Sequence, residues 1–206
     1  MSRPASSGCP LVRGGLLIAA RRGARGTPLN DTNLRNFVET ALVNSRLPAA
    51  GTTVRLRWSG SEHGQDAALL TVQPAGGGVI AYAMHGDDRT GWSTDLRLLL
   101  PAEGADQRPI GWRIRADDST RTPTGQARVI APPDAARVTV TVGGAPPVTV
   151  TLDASNAGIV RIPPDQSAVL TAYSADGNVL GTTPLPPVEV DVSGLPGDSP
   201  ATRLTP

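Results

Sequence analysis

Lysine is missing altogether: the 19 basic side chains of this 206-residue chain are all arginine. That excludes a Schiff-base lysine, a lysine general base and the phosphate-binding lysine of a P-loop. The plain explanation is GC-rich coding, which favours Arg, Ala, Gly and Pro together, and the exclusion holds whatever its origin. Cysteine is nearly as scarce. Cys9 alone can form neither an intramolecular disulfide nor a structural zinc site. With one Phe, two Tyr and three Trp, stacking platforms for bases are few, and a net charge of +1 supplies no one-sided basic field. Nucleic acid is therefore not an expected partner. Any core must be built mostly from Val, Leu, Ile and Ala, which bury less area per residue than aromatics.

Long apolar runs are also lacking. Leu16-Leu17-Ile18-Ala19-Ala20 falls far short of the ~20 residues that cross a bilayer, so no transmembrane segment is expected. It is short for a signal-peptide core too, and the small residues Ser6-Ser7-Gly8 before Cys9 lack the hydrophobic region that precedes a lipidated cysteine. As written, the chain carries no export signal. A cytoplasmic location follows if Met1 is the true start, against the extracytoplasmic or cell-envelope location that the modular β pattern favours.

What is present is alternation broken by turns. Short Val, Leu, Ile and Thr runs recur from about Thr52 to Val192, and the 23 Gly and 20 Pro fall mainly between them. Such a chain is expected to be mainly β and antiparallel, with one strand face buried and one wet. Residues 1–30, with Arg21-Arg22-Arg25, read as a flexible arm with a short strand at 15–20. One amphipathic helix follows: Leu34, Phe37, Val38, Ala41 and Leu42 recur at helical spacing, Asp31 or Thr32 can cap it, and Pro48 prevents continuation beyond about Arg46.

A first β module is expected over 31–122 together with that helix. Val54, Leu56 and Trp58 share one face of its opening strand, opposite Arg55 and Arg57. Strands near 66–73, 78–85, 94–100 and 109–115 follow, the last with Ile110, Trp112 and Ile114 on one face. Trp58 and Trp112 read as core anchors, and Trp92, in the loop after Asp87, as the most exposed ring. The Thr-, Ser-, Asp- and Pro-rich stretch from Asp117 to Pro123 reads as a hinge or long loop.

A second module is expected over 123–193. Val138, Val140 and Val142 alternate with Thr139 and Thr141, and after Gly143-Gly144 the run Val148, Val150, Leu152 alternates with Thr149 and Thr151, a hairpin pattern. Asp176-Gly177 marks a second hairpin between 168–174 and 178–182, and Val188, Val190 and Val192 close the set. This spacing resembles an immunoglobulin-like or fibronectin-like sandwich, without the Cys, Trp, Cys pattern of true immunoglobulin domains. The resemblance implies an adhesion, spacer or assembly role and names no ligand. Residues 194–206 read as a disordered tail.

Chemistry has few places to reside. Gly60-Ser61-Glu62-His63-Gly64 has the glycine spacing of a nucleophile elbow, but Glu stands where Ser is required. No HExxH, CxxC pair or EF-hand ligand series occurs, and Asp176-Gly177-Asn178 is a hairpin turn rather than a calcium loop. One constellation depends on topology: if strands 54–59, 66–73 and 78–85 form a meander, Glu62, His63, Asp66, His85, Asp87 and Asp88 meet at one sheet end. His63, His85 and Asp87 could then ligate a divalent metal, the sole cofactor expected, while Trp92, Glu62 and Asp88 could contact a ligand or partner.

The expected function is a noncatalytic binding, adhesion or assembly module of a bacterial envelope or larger particle, whose partner is a protein or an envelope polymer. Two readings compete with it. One is a metal-binding protein or metal-assisted hydrolase using the His63/His85 end. The other is a regulatory module that docks elsewhere through helix 32–46. Nothing in the pattern selects a monomer over an oligomer.

Overall fold

The computed structural model describes residues 16, 19–21, 23–62, 64–87, 91–115 and 123–187, with the backbone alone at 115 and 123. The chain is mainly β, with three sheets and one 15-residue helix among these residues.

The helix, α1 (Asp31–Ser45), begins one residue earlier than the expected caps: Asn30 is the N-cap, its side chain accepting from the Asn33 amide at 2.8 Å. Arg46 ends it in the left-handed conformation, φ 57°, and its amide donates to the carbonyls of Leu42 and Val43. The buried face is the one its spacing predicts: Leu34, Phe37, Val38, Ala41 and Leu42.

That face covers a five-stranded sheet of order β1-β2-β3-β4-β5: β1 (Arg25–Gly26), β2 (Thr52–Glu62), β3 (Gln65–Pro74), β4 (Val79–Asp87) and β5 (Gly91–Leu100). Strands β2 to β5 form the expected antiparallel meander, and β1 adds in parallel beside Trp58 and Ser59. The arm before α1 is thus held to the fold in part. Leu16, Ala19 and Ala20 are helical rather than extended, and Ala20 and Leu29 are buried in the α1 core.

Strand β2 departs from simple alternation. Leu56 pairs with Leu70 and Trp58 with Leu69, so Arg57 is an extra residue, a β-bulge. Val54 and Leu56 consequently join the α1 core, whereas Trp58 joins the core on the opposite face. The single face expected for Val54, Leu56 and Trp58 is therefore split, because one inserted residue exchanges the two faces of every residue after it.

The opposite face of this sheet packs on a second sheet, order β10-β7-β6, built from β6 (Ile110–Arg115), β7 (Pro123–Ile130) and β10 (Ala157–Arg161). Trp58, Ala67, Leu69, Ala81 and Ala83 meet Ile110, Trp112 and Ile130 there, with the Trp58 and Trp112 ring centroids 6.0 Å apart. The second sheet is covered on its other side by a third, order β12-β11-β8-β9, from β8 (Arg137–Val142), β9 (Val148–Thr149), β11 (Ala168–Tyr173) and β12 (Val179–Leu185). Ala127 and Val129 point into that core against Val138, Val140 and Leu170. The order of layers is helix, sheet, sheet, sheet.

Pairing crosses the boundary expected near residue 122. Strand β6, predicted to close the first module, pairs antiparallel with β7, with Ile110 opposite Ile130. Both expected hairpins form: β8 with β9, and β11 with β12 around the positive-φ Gly177. Pro123, expected to end the hinge, begins β7, while residues 117–122 of that hinge, Val188, Val190, Val192 and the tail lie outside the described residues.

Arginines tie the layers at their margins. The Arg113 guanidinium donates to the carbonyls of Ile162 (2.8 Å), Pro163 (3.1 Å), Gln166 (2.6 Å) and Pro186 (3.3 Å), tying the β10–β11 connection and the residue after β12, at one end of the third sheet, to β6. Burial pulls its pKa below the usual arginine value, partly offset by Asp165, without discharging it. Arg108 donates to the Thr182 carbonyl at 2.7 Å. We expect Arg113→Ala to lower stability by about 2 kcal/mol in urea unfolding, because carbonyls lose a charged donor. Arg113→Lys should recover little of it, since an ammonium cannot span the four acceptors.

Candidate functional site

The sheet end that carries the predicted site is organised by the bulge in β2 and a second one in β5. Ala83 pairs with Leu96 and Met84 with Thr94, which leaves Asp95 as the extra residue of β5. Its carboxylate reaches His85 Nδ1 at 2.5 Å, and both side chains are 5% exposed. His85 is therefore oriented by a carboxylate that the sequence pattern does not single out. The sequence carries no signal for it, since Trp92, Thr94, Leu96, Leu98 and Leu100 alternate without a break around Asp95.

The other predicted residues do not all converge. Glu62 is buried and its Oε1 accepts from Arg128 Nε at 2.6 Å, so it joins the first sheet to β7. Asp66 lies on the opposite face, its carboxylate accepting from the Asn33 side chain in the first turn of α1. That separation corrects the six-residue cluster: Asp66 pairs with Gly86, one position out of phase with Ala67 and His85. Asp87 ends β4, half-buried. His63 and Asp88 lie outside the described residues. Among the described residues no three His, Cys, Asp or Glu side chains gather in a metal-binding group.

Trp92, expected as an exposed ring, packs instead against α1, its ring edge-on to Phe37 at a centroid distance of 4.5 Å. It belongs to β5 rather than to a loop, and strand alternation points it at the helix core.

The main cavity near these residues lies beside the bulge in β2. It is an open groove of about 680 Å³ between the β1–β2 edge and the 153–155 loop, lined by Arg25, Thr27, Ser61, Arg128 and Asp153 among others. Its walls are made rigid by a relay: Trp58 Nε1 donates to Ser155 Oγ at 3.2 Å, and Ser155 Oγ donates to Asp153 Oδ1 at 2.7 Å. The same Oδ1 accepts from the amides of Ser155 (2.8 Å) and Ala157 (3.0 Å). Arg128 lies over the Trp58 ring, 4.8 Å from its centroid, while its Nε is held by Glu62. On the far wall β1 approaches β2 so closely that a Cβ on Gly26 would lie 1.9 Å from the Ser59 carbonyl oxygen, at φ +91°.

Desolvation pushes the Asp153 carboxyl up, but the hydrogen bonds from Ser155 and Ala157 and the charge of Arg128 outweigh it and hold the group below the usual carboxylate value. Comparisons with protein-family models, with curated proteins and with solved structures find no match to this chain.

The Glu62–Arg128 pair is expected to show strong coupling. Glu62→Leu alone should cost about 2 kcal/mol by leaving the half-buried Arg128 guanidinium without its carboxylate, and Glu62→Leu with Arg128→Met should recover most of it; a double-mutant cycle by urea unfolding measures the difference. Asp153 supplies a pH test. Its depressed folded pKa stabilises the fold above the unfolded carboxyl value of about 3.9, and this contribution is lost as pH falls through the lower folded value. Asp153→Asn should therefore be less stable than wild type at neutral pH, with a gap that narrows below about pH 4. A gap independent of pH would show that the charge contributes nothing.

Proposed function

We propose that this chain is a noncatalytic binding or assembly module whose docking place is the groove between the β1–β2 edge and the 153–155 loop. In this reading the pair of sheets β10-β7-β6 and β12-β11-β8-β9 serves as an immunoglobulin-like or fibronectin-like support, and the partner is a protein or an envelope polymer. One observation carries it: the groove is a concave polar surface of the volume typical of binding sites, set on cross-linked strands instead of a loose loop.

A second set of contacts favours binding over catalysis. The side chains assigned to chemistry by the sequence are engaged in structural contacts: Glu62 with Arg128 and Asp66 with Asn33 join layers, and His85 with Asp95 joins two strands of the first sheet. A general base of this kind would need an open approach for a substrate proton, and His85 is buried.

The test uses the full chain, immobilised and exposed to an extract of the source cells, against Ser61→Arg, which places a long side chain across the groove from an exposed strand position. A partner retained by wild type and lost by an equally stable Ser61→Arg supports the reading. Retention of the same partner by both, or by neither, sinks it. Dialysis against EDTA is expected to leave both retention and thermal midpoint unchanged; loss of either would transfer the role to a metal at the His63/His85 end.

A further inference from the structure

We infer that the groove takes an uncharged, polyhydroxylated chain, an oligosaccharide segment, an inference that rests on the reading of the groove as a docking place. Charge balance and unused hydrogen-bonding atoms in the groove both point to such a ligand. Arg25 and Arg128 bring two positive charges to the site, and Asp153 in the wall and Glu62 behind Arg128 bring two negative ones. The local charges cancel. An anionic ligand meets Asp153 and a cationic one meets two guanidinium groups, so neither gains a one-sided field.

Both kinds of hydrogen-bonding capacity nevertheless remain open there. Glu62 occupies Nε of Arg128, and the terminal nitrogens have no acceptor among the described residues. Among the described residues Arg25 has a single long hydrogen bond, 3.4 Å to the Pro133 carbonyl. Asp153 uses Oδ1 for all three of its hydrogen bonds, leaving Oδ2 as an acceptor. Thr27 donates its amide to the Ser59 carbonyl, which turns the backbone polar groups of residue 59 toward β1 and, by the two-residue alternation, those of residue 61 toward the same edge of β2 beyond the end of β1.

The Arg128 fork held on Trp58 and the remaining Asp153 oxygen on the same groove supply the donors and acceptor that vicinal hydroxyls match, each hydroxyl both donating and accepting. Their rigidity also favours binding, because little side-chain entropy remains to be lost: the Arg128 plane is held on Trp58 and Asp153 by its own loop. The indole of Trp58 is only 3% exposed, so recognition here works through polar edges and not through ring stacking. An open groove, unlike an enclosed cavity, admits an internal segment of a polymer.

The experiment titrates the full chain with cellotetraose and chitotetraose, as uncharged probes, and with a galacturonic acid tetramer and inorganic phosphate, as charged ones, while backbone amide shifts are followed. Saturable shifts of residues 25–27, 59–61 and 153–155 are expected with an uncharged tetramer, insensitive to added salt. Arg25→Ala should weaken that binding about tenfold, and Ser61→Arg should abolish it. Arg25→Ala lies on a short edge strand and serves where an Asp153 variant would disturb its loop. Saturation only by the charged probes, shifts confined to other residues, or no saturable shift with either uncharged tetramer would overturn the inference. If that happens while Ser61→Arg still removes a captured partner, the groove remains a docking place for something other than a saccharide; if both tests fail, the docking reading falls with it.

Discussion

The arrangement depends on one extra residue in β2. Side chains on a strand alternate strictly, so a chain that must seal a helix core with Val54 and Leu56 cannot also send Trp58 to the other face without an insertion. The bulge at Arg57 provides it. Everything at the boundary of the first two sheets follows: Trp58 reaches Trp112, its indole nitrogen reaches the 153–155 loop, and Glu62, four residues on, reaches Arg128. The inserted residue must itself be placed. Arg57 bonds Asp106 at 3.0 Å, with side-chain exposure of 10%. Burial lowers its pKa, Asp106 opposes that, and the guanidinium keeps its charge because even a depressed arginine stays far above neutrality.

With no lysine in the chain, every cross-layer cation is a guanidinium. This matters most where backbone carbonyls at the ends of strands need donors: Arg113 serves four of them, which an ammonium on a flexible stem would not do in one geometry. A three-sheet stack poor in aromatics has small apolar contacts between layers, many of them Ala against Val or Leu. Directional bonds at the margins therefore define the relative register of layers that small side chains alone leave weakly specified. The arginine excess expected from coding bias is thus also structural, whatever its origin.

Much of the fold was legible because period and turn chemistry are local. The helix face, the β2 to β5 meander, the two hairpins of the third sheet and the burial of Trp58 and Trp112 all follow from spacing and from Gly positions. What was not legible depends on pairing between distant segments. Nothing in the alternation of β6 distinguishes a strand that closes its own module from one that pairs with β7. The two bulges are invisible to a period count, since Arg57 and Asp95 occupy places where simple alternation continues to look acceptable. Trp92 was assigned to a loop because turn-forming residues precede it, yet it proved to be a strand residue against Phe37; Asp66 was grouped with side chains on the other face because a shared sheet end does not by itself fix the face.

The groove shows how those two kinds of information combine. None of its residues forms a sequence motif: Arg25 comes from the N-terminal arm, Ser61 from β2, Arg128 from β7 and Asp153 from the turn before β10. They meet because a two-residue parallel strand ends beside an edge and because the bulge turns Trp58 toward the second sheet, where its one polar atom needs an acceptor. Ser155 satisfies that need and in turn fixes Asp153. The polar surface of the groove is thus assembled by the same contacts that close the interface between the first two sheets. A substitution that loosens that interface should disorder the groove before it unfolds the chain, which couples recognition to the packing of two tryptophans and not to any single exposed residue.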